Sequence, residues 1–120
     1  MPARLRPADP QAVADALARV DWAPADLKLL SKHFLAVLGD RAPGRSVEVR
    51  VPPYAAAQVI EGVRHTRGTP PAVVETDPRT WIALATGALD WSTAIDEGRV
   101  RASGGRTDLA PYLPLLEAQP

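Results

Sequence analysis

Apolar residues recur every three or four positions in the first third of the chain and every second position in the middle. The first helical pattern opens at Asp9 and Pro10. An aspartate there accepts from free N–H groups, and proline loses nothing at the first helical position. Val13, Ala16, Leu17 and Val20 follow at helical spacing. Residues 1–8 read as a flexible lead-in. In DWAPADLKLLSKHFLAVLGDRAPG, Leu27, Leu30, Phe34, Val37 and Leu38 make one apolar stripe, and the helix should end near Asp40–Ala42, before Pro43 and Gly44. His33 lies beside the stripe and reads as a partly exposed helix histidine.

The period then changes to two. Val47, Val49 and Val51 alternate with Glu48 and Arg50, the pattern of a half-buried strand whose polar face meets solvent. Pro52 and Pro53 end it or confine it to an edge. YAAAQVIEG predicts a second strand and AVVET a third. Asp77-Pro78 repeats the helix start, Trp81, Leu84 and Ala85 form the inner face, and Gly87 suits a left-handed C-cap. Asp90 caps a short helix with Trp91, Ala94 and Ile95 inward, ended by Gly98. RVRAS is a strand and Gly104-Gly105 a turn. A last helical piece opens at Thr107 or Asp108 with Leu109, Tyr112, Leu113 and Leu116 on one side, and Pro114 should break or kink it. Strands grouped between helices predict one α+β domain over residues 9–117, with helices on one face of a mainly antiparallel sheet of four to five strands.

Composition narrows the function classes. Basic and acidic residues balance at 14 each, so no net field draws the chain to nucleic acid. There is no cysteine, which removes disulfides, thiol nucleophiles and zinc–thiolate sites and suits a reducing compartment. Two histidines without cysteine make a poor metal set, so neither a metal nor another cofactor is expected. MPARLRPADP lacks the apolar core of a secretory signal, and no apolar run approaches the roughly 20 residues of a membrane span. The expectation is a soluble cytoplasmic protein.

The C-terminal half, VVETDPRTWIALATGALDWSTAIDEGRVRASGGRTDLAPYLPLL, has a specific rhythm. A strand leads to an acid-capped helix ending in glycine, a short helix ending in glycine, a strand, a glycine and a terminal helix. This resembles the second half of the sterol carrier protein (SCP) fold. RSVEVRVPPYAAAQ and RHTRGTPPAVVETDP look like the bacterial SCP orthologue branch in particular, and the resemblance covers about residues 10 to 117. It implies a sheet of about five strands with helices on one face. It also implies an apolar cavity for fatty acyl chains, acyl-CoA or sterols, and transfer or storage without chemistry. The chain departs from eukaryotic members in carrying VEVRVPPYAAAQVIEG where they have a Gly-rich, Trp-containing hairpin.

Arg64, His65, Thr66 and Arg67 form the densest polar cluster. Two guanidiniums, an imidazole and a hydroxyl suit a carboxylate or phosphate head group, because arginine's planar fork bonds an anion twice. The other reading pairs Arg64 and Arg67 with Glu61, Glu75 or Asp77 and leaves Gly68 as a turn. On a strand, His65 and Arg67 share a face. An enzyme using His65 and Arg67 is a further alternative, but no nucleophile elbow or partner acid stands at a telling spacing. A pocket is expected between the sheet and the helices containing Trp81 and Leu113. Leu84, Ile95, Tyr112 and Leu116 would contribute walls, and small residues at Ala55–Ala57 would leave space over the sheet. The apolar tail segment reads as a cap on the core, a lid over that pocket or a homodimer contact. The function classes are therefore a carrier of an apolar or acyl ligand, a structural or regulatory protein-interaction domain without an open cavity, and an enzyme.

Overall fold

The computed structural model describes residues 5–62, 72–104 and 107–116. The elements run α1 (Pro10–Ala18), α2 (Pro24–Arg41), β1 (Val47–Val51), β2 (Ala55–Val59), β3 (Ala72–Thr76), α3 (Pro78–Thr86), α4 (Trp91–Asp96) and β4 (Val100–Ser103), followed by a 3₁₀ turn at Ala110–Tyr112. Among the described residues, no helix is long and apolar enough to cross a membrane.

The four strands form one sheet in the order β2-β1-β3-β4. β1 pairs antiparallel with β2 and β3 antiparallel with β4, but the central pair β1–β3 is parallel. The fold is α+β as expected, with a mixed rather than mainly antiparallel sheet. The cause is the edge that β3 takes. β2 occupies one edge of β1 and β3 the other, and β3 runs in the same direction as β1. Val49 aligns with Ala57 on one side and Val74 on the other, and Val74 with Ala102. Side chains alternate across a strand, so this row shares one face. On that face Val47, Val49, Val51, Val59 and Val74 are buried, whereas Arg50, Ala56, Gln58 and Arg101 on the opposite face are exposed. Full burial of each such valine contributes about 1.5–3 kcal/mol.

Helix α2 is the hub, packing against β2, α3 and α1. Leu30, Phe34, Leu35 and Leu38 are fully buried, so its inward arc is wider than the stripe predicted from spacing. Trp81 of α3 is also fully buried, and its Nε1–H donates to the Ser31 carbonyl at 3.3 Å. Asp77 and Asp90 cap α3 and α4 as predicted, accepting from the N–H groups of Thr80 and Thr93, and Gly87 takes the left-handed C-cap at φ 88°.

Three expectations are corrected. Val20 is 97 % exposed, because α1 stops at Ala18. Arg19 turns extended, and the Trp22 indole N–H donates to the Ala16 carbonyl at 2.9 Å, satisfying the helix end. Ile95 turns outward at 39 % exposure, while Ala94 is buried and Trp91 packs half-buried against the core on the inner face of α4. The terminal helix is reduced to one 3₁₀ turn that contains Pro111, and its C-cap Leu113 is already extended ahead of Pro114. Leu109, at the start of the turn, is buried, and beyond the turn Leu115 is buried while Leu116 is 42 % exposed. Arg41 holds this tail, its guanidinium donating to the carbonyls of Tyr112 (3.3 Å), Pro114 (2.8 Å) and Leu115 (3.4 Å).

Candidate functional site

The site grows from the loop between α2 and β1. α2 ends at Arg41, and the chain must turn sharply to enter the sheet. Pro43 and Gly44 make the turn, and Gly44 has φ 151°. A Cβ on Gly44 would lie 2.2 Å from the carbonyl carbon of Ile60, so only glycine lets the loop approach the end of β2 this closely. Hydrogen bonds lock the approach. The Ile60 N–H donates to the Ala42 carbonyl at 2.6 Å, and the Ile60 carbonyl accepts from the Ser46 N–H at 3.0 Å and the Ser46 hydroxyl at 2.6 Å. Between these anchors Ile60 sits at φ 66°, a left-handed backbone that costs a β-branched residue about 1–3 kcal/mol. The surrounding bonds hold it there.

This clamp sets one wall of a concavity of about 670 Å³. Leu35, Ala36 and Gly39 of α2 form the second wall, Leu5 of the lead-in closes over it, and Glu48, Ala56, Ala57 and Gln58 make the floor. Ala57 belongs to the core-facing side of β2 and Ala56 to its open side, so the concavity wraps around the free edge of that strand. Small residues create the space. Gly39 has nothing within 4 Å of where a Cβ would stand. The charge at the rim is asymmetric: Glu48 is paired with Arg50 on the open face of the sheet, whereas Arg45 is exposed and makes no hydrogen bond or ion pair among the described residues. The concavity thus has a mixed lining, with apolar side chains from Leu5, Leu35, Ala36 and Ala57, polar ones from Glu48 and Gln58, and the available Arg45 guanidinium at its rim.

Residues 24–115, from the first turn of α2 to the end of the tail, match the family described as bacterial SCP ortholog. The chain belongs to this family. No curated protein matches it. α1 and Leu5 lie outside the matched segment, so the concavity of this bacterial SCP orthologue joins family elements to a residue N-terminal of them.

The site residues expected from spacing in this SCP-family chain fall elsewhere. Arg64, His65, Thr66 and Arg67 lie outside the described residues. Trp81 and Leu84 are fully buried, and Tyr112 and Leu113 are half-buried and packed against the core, while Ile95 and Leu116 face outward. None of these six lines the concavity beside β2. A second, smaller hollow of about 330 Å³ is polar, lined by Pro52, Glu75, Thr76, Asp77, Gly98, Arg99 and Arg101. Among the described residues, no three His, Cys, Asp or Glu side chains gather as a metal set.

Sequence reasoning missed Gly39, Gly44 and Arg45. Only the Pro43-Gly44 turn signal pointed toward them, because a cavity made by absent side chains leaves no apolar periodicity. His33 was also missed as a structural partner. Its Nδ1 accepts the Ala8 N–H at 2.9 Å, and its ring meets Phe34 edge-on at 5.0 Å between centroids. Burial displaces its pKa downward.

Proposed function

We propose that this chain is a non-catalytic carrier-type domain of the cytoplasm that binds an apolar or acyl-chain small molecule in the concavity between α2 and β2. One observation carries the reading: about 670 Å³ of space stands beside a core whose large side chains are fully buried. Interiors close most voids larger than a water molecule, and ligand sites occupy about 300–1,000 Å³ with mostly apolar walls and few polar anchors. Leu5, Leu35, Ala36 and Ala57 suit a hydrocarbon chain, and Arg45 suits an anionic head group. Membership of the SCP family supports the same class of ligand. No general base and nucleophile meet at this concavity, whose ionisable residues are Arg45 and Glu48.

The test is displacement of a dansylated undecanoic acid, with Gly39→Phe as the blocking variant. The new ring enters open space, so folding is retained and can be checked by circular dichroism. Wild-type protein should bind the probe at micromolar concentration, and the folded variant should lose at least tenfold in affinity. No probe binding by the wild type would overturn the carrier reading.

A protein-interaction domain is the second reading, favoured by the edge itself. β2 reads Ala-Ala-Ala-Gln-Val, without the charge that usually guards a free edge, whereas β4 carries Arg101. An extended peptide adding a strand there would use main-chain hydrogen bonds. Shifts confined to the β2 amides on peptide addition, with no acyl-probe binding, would favour it.

A further inference from the structure

We propose that His33 is a pH-operated latch that fastens residues 5–8 against α2 and so controls the Leu5 wall of the concavity. The latch itself stands on geometry. Ala8 is the last residue before the Asp9 cap of α1, and its N–H donates to the His33 Nδ1 at 2.9 Å. No element of regular structure holds residues 5–8 otherwise. Leu5, three residues earlier, packs against the core and lines the concavity. This side-chain acceptor therefore stands between the first helix and the residue that closes the site.

The chemistry of the acceptor makes the latch responsive. Nδ1 accepts only when it carries no proton, which places the imidazole hydrogen on Nε2. Protonation turns Nδ1 into a donor facing another donor, so the bond is lost and replaced by repulsion. The charged residues on the elements that meet here are Lys32 and Asp40 on α2, Arg6 and Asp9 on either side of Ala8 in sequence, and Asp15 on α1, and burial rather than any of these charges is what displaces the ring's titration. The ring's half-burial disfavours its charged form and lowers its pKa. A lowered folded-state value means that the latch is fully closed above the ordinary histidine value of 6.5 and opens as the pH falls through the folded value. Opening releases Ala8, swings Leu5 away and widens the concavity toward solvent. Acidity, as at the headgroup layer of an anionic membrane, would thus favour exchange of a bound molecule. This regulatory meaning rests on the carrier reading, whereas the latch does not.

The experiment follows the full-length chain by NMR between pH 7.5 and 5, with His33→Asn as the control. Asparagine offers a carbonyl oxygen near the Nδ1 position and does not titrate. In the wild type, the Ala8 amide and Leu5 methyl signals should move with the midpoint of the His33 ring. In His33→Asn they should stay at their closed positions across the range. Flat Ala8 and Leu5 signals while the wild-type ring titrates would overturn the latch. The dansylated undecanoic acid gives the second arm. Its dissociation rate should rise at least threefold on acidification in the wild type and stay constant, relative to that change, in His33→Asn. Equal pH dependence in both proteins would overturn the regulation. Absence of probe binding at every pH would remove the carrier reading, and the NMR arm would still decide the latch.

Discussion

Ser46 donates twice to the carbonyl of Ile60, once from its N–H at 3.0 Å and once from its hydroxyl at 2.6 Å. That pair of hydrogen bonds, made behind the wall of the concavity that Pro43, Gly44 and Arg45 form, holds Ile60 in a left-handed backbone with Gly44 against it. Gly44→Ala should therefore be severe. The added methyl would stand 2.2 Å from backbone atoms of Ile60 at a φ disfavoured for alanine. We expect a loss of at least about 2 kcal/mol, read from the urea midpoint, with probe affinity falling in parallel. Ser46→Ala keeps the N–H bond and should cost about 1 kcal/mol. A Gly44→Ala protein as stable as the wild type would show that the clamp yields.

Gly39 gives the opposite result. It lies inside α2 with open space around the Cβ position. Glycine costs a helix interior about 0.5–1 kcal/mol relative to alanine, so Gly39→Ala should stabilise by that amount. Thermal unfolding should shift upward, and the smaller concavity should weaken binding of the acyl probe. A stabilised variant with weaker binding would place Gly39 among residues kept for their missing side chain.

Acid should destabilise the protein through two helix caps. Burial pushes the Asp77 carboxyl up, but the hydroxyl and N–H of Thr80 together more than offset it, and the group lies below its ordinary 3.8. The hydroxyls of Ser92 and Thr93 and the Thr93 N–H bring Asp90 down to about 2. Both carboxyls are harder to protonate in the folded chain, so the unfolded chain takes up protons first. The stability they contribute is present above 3.8 and is lost as the pH falls through their lowered values, which for Asp90 is about 2. Asp90→Asn keeps a capping side chain without the charge. Urea midpoints measured from pH 5 to 2.5 should decline less steeply in that variant than in the wild type.

The Ser31 hydroxyl is fully buried and has no hydrogen-bond partner among the described residues, although the Ser31 carbonyl receives the Trp81 indole N–H. Ser31→Ala removes the unpaired polar atom and leaves the carbonyl in place. Stability should be unchanged or rise by about 1 kcal/mol, since an unsatisfied buried hydroxyl costs about that much or more. Destabilisation on calorimetry would mean that the hydroxyl contributes packing or bonding that outweighs its desolvation.

Much of the local structure was legible because its physical cause is local. Val47, Val49 and Val51 announce a strand buried on one face, and the Asp77-Pro78 and Asp90 starts announce α3 and α4 through the chemistry of free N–H groups. The parallel β1–β3 pair was not legible. Alternation has the same period in either direction, and nothing in AVVET states which edge of β1 it will choose. Val20 continued a helical spacing that the backbone abandons after Ala18, and the Trp22 cap that allows this depends on a three-dimensional approach. Leu115 rather than Leu116 is buried, and the chain leaves its single turn extended at Leu113, a change of period that spacing alone did not reveal. The concavity was hidden for another reason. Its walls depend on Gly39 and Gly44, which contribute by what they lack, and on Leu5, which comes from the lead-in far away in sequence.

The parallel pair also fixes an order of assembly. β1 meets β2 across a short turn, whereas the Val47–Ala72 pair closes a loop that includes the whole of β2. Closing the longer loop carries the larger entropic cost, so the β1–β2 hairpin forms ahead of the central pair. Until β3 arrives, the second edge of the valine-rich β1 stands open. A chain emerging from a ribosome therefore passes through a stage in which the strand that supplies the buried Val47, Val49 and Val51 is half-paired. That interval, rather than any weakness of the finished fold, is where crowding and high expression would divert it into aggregates.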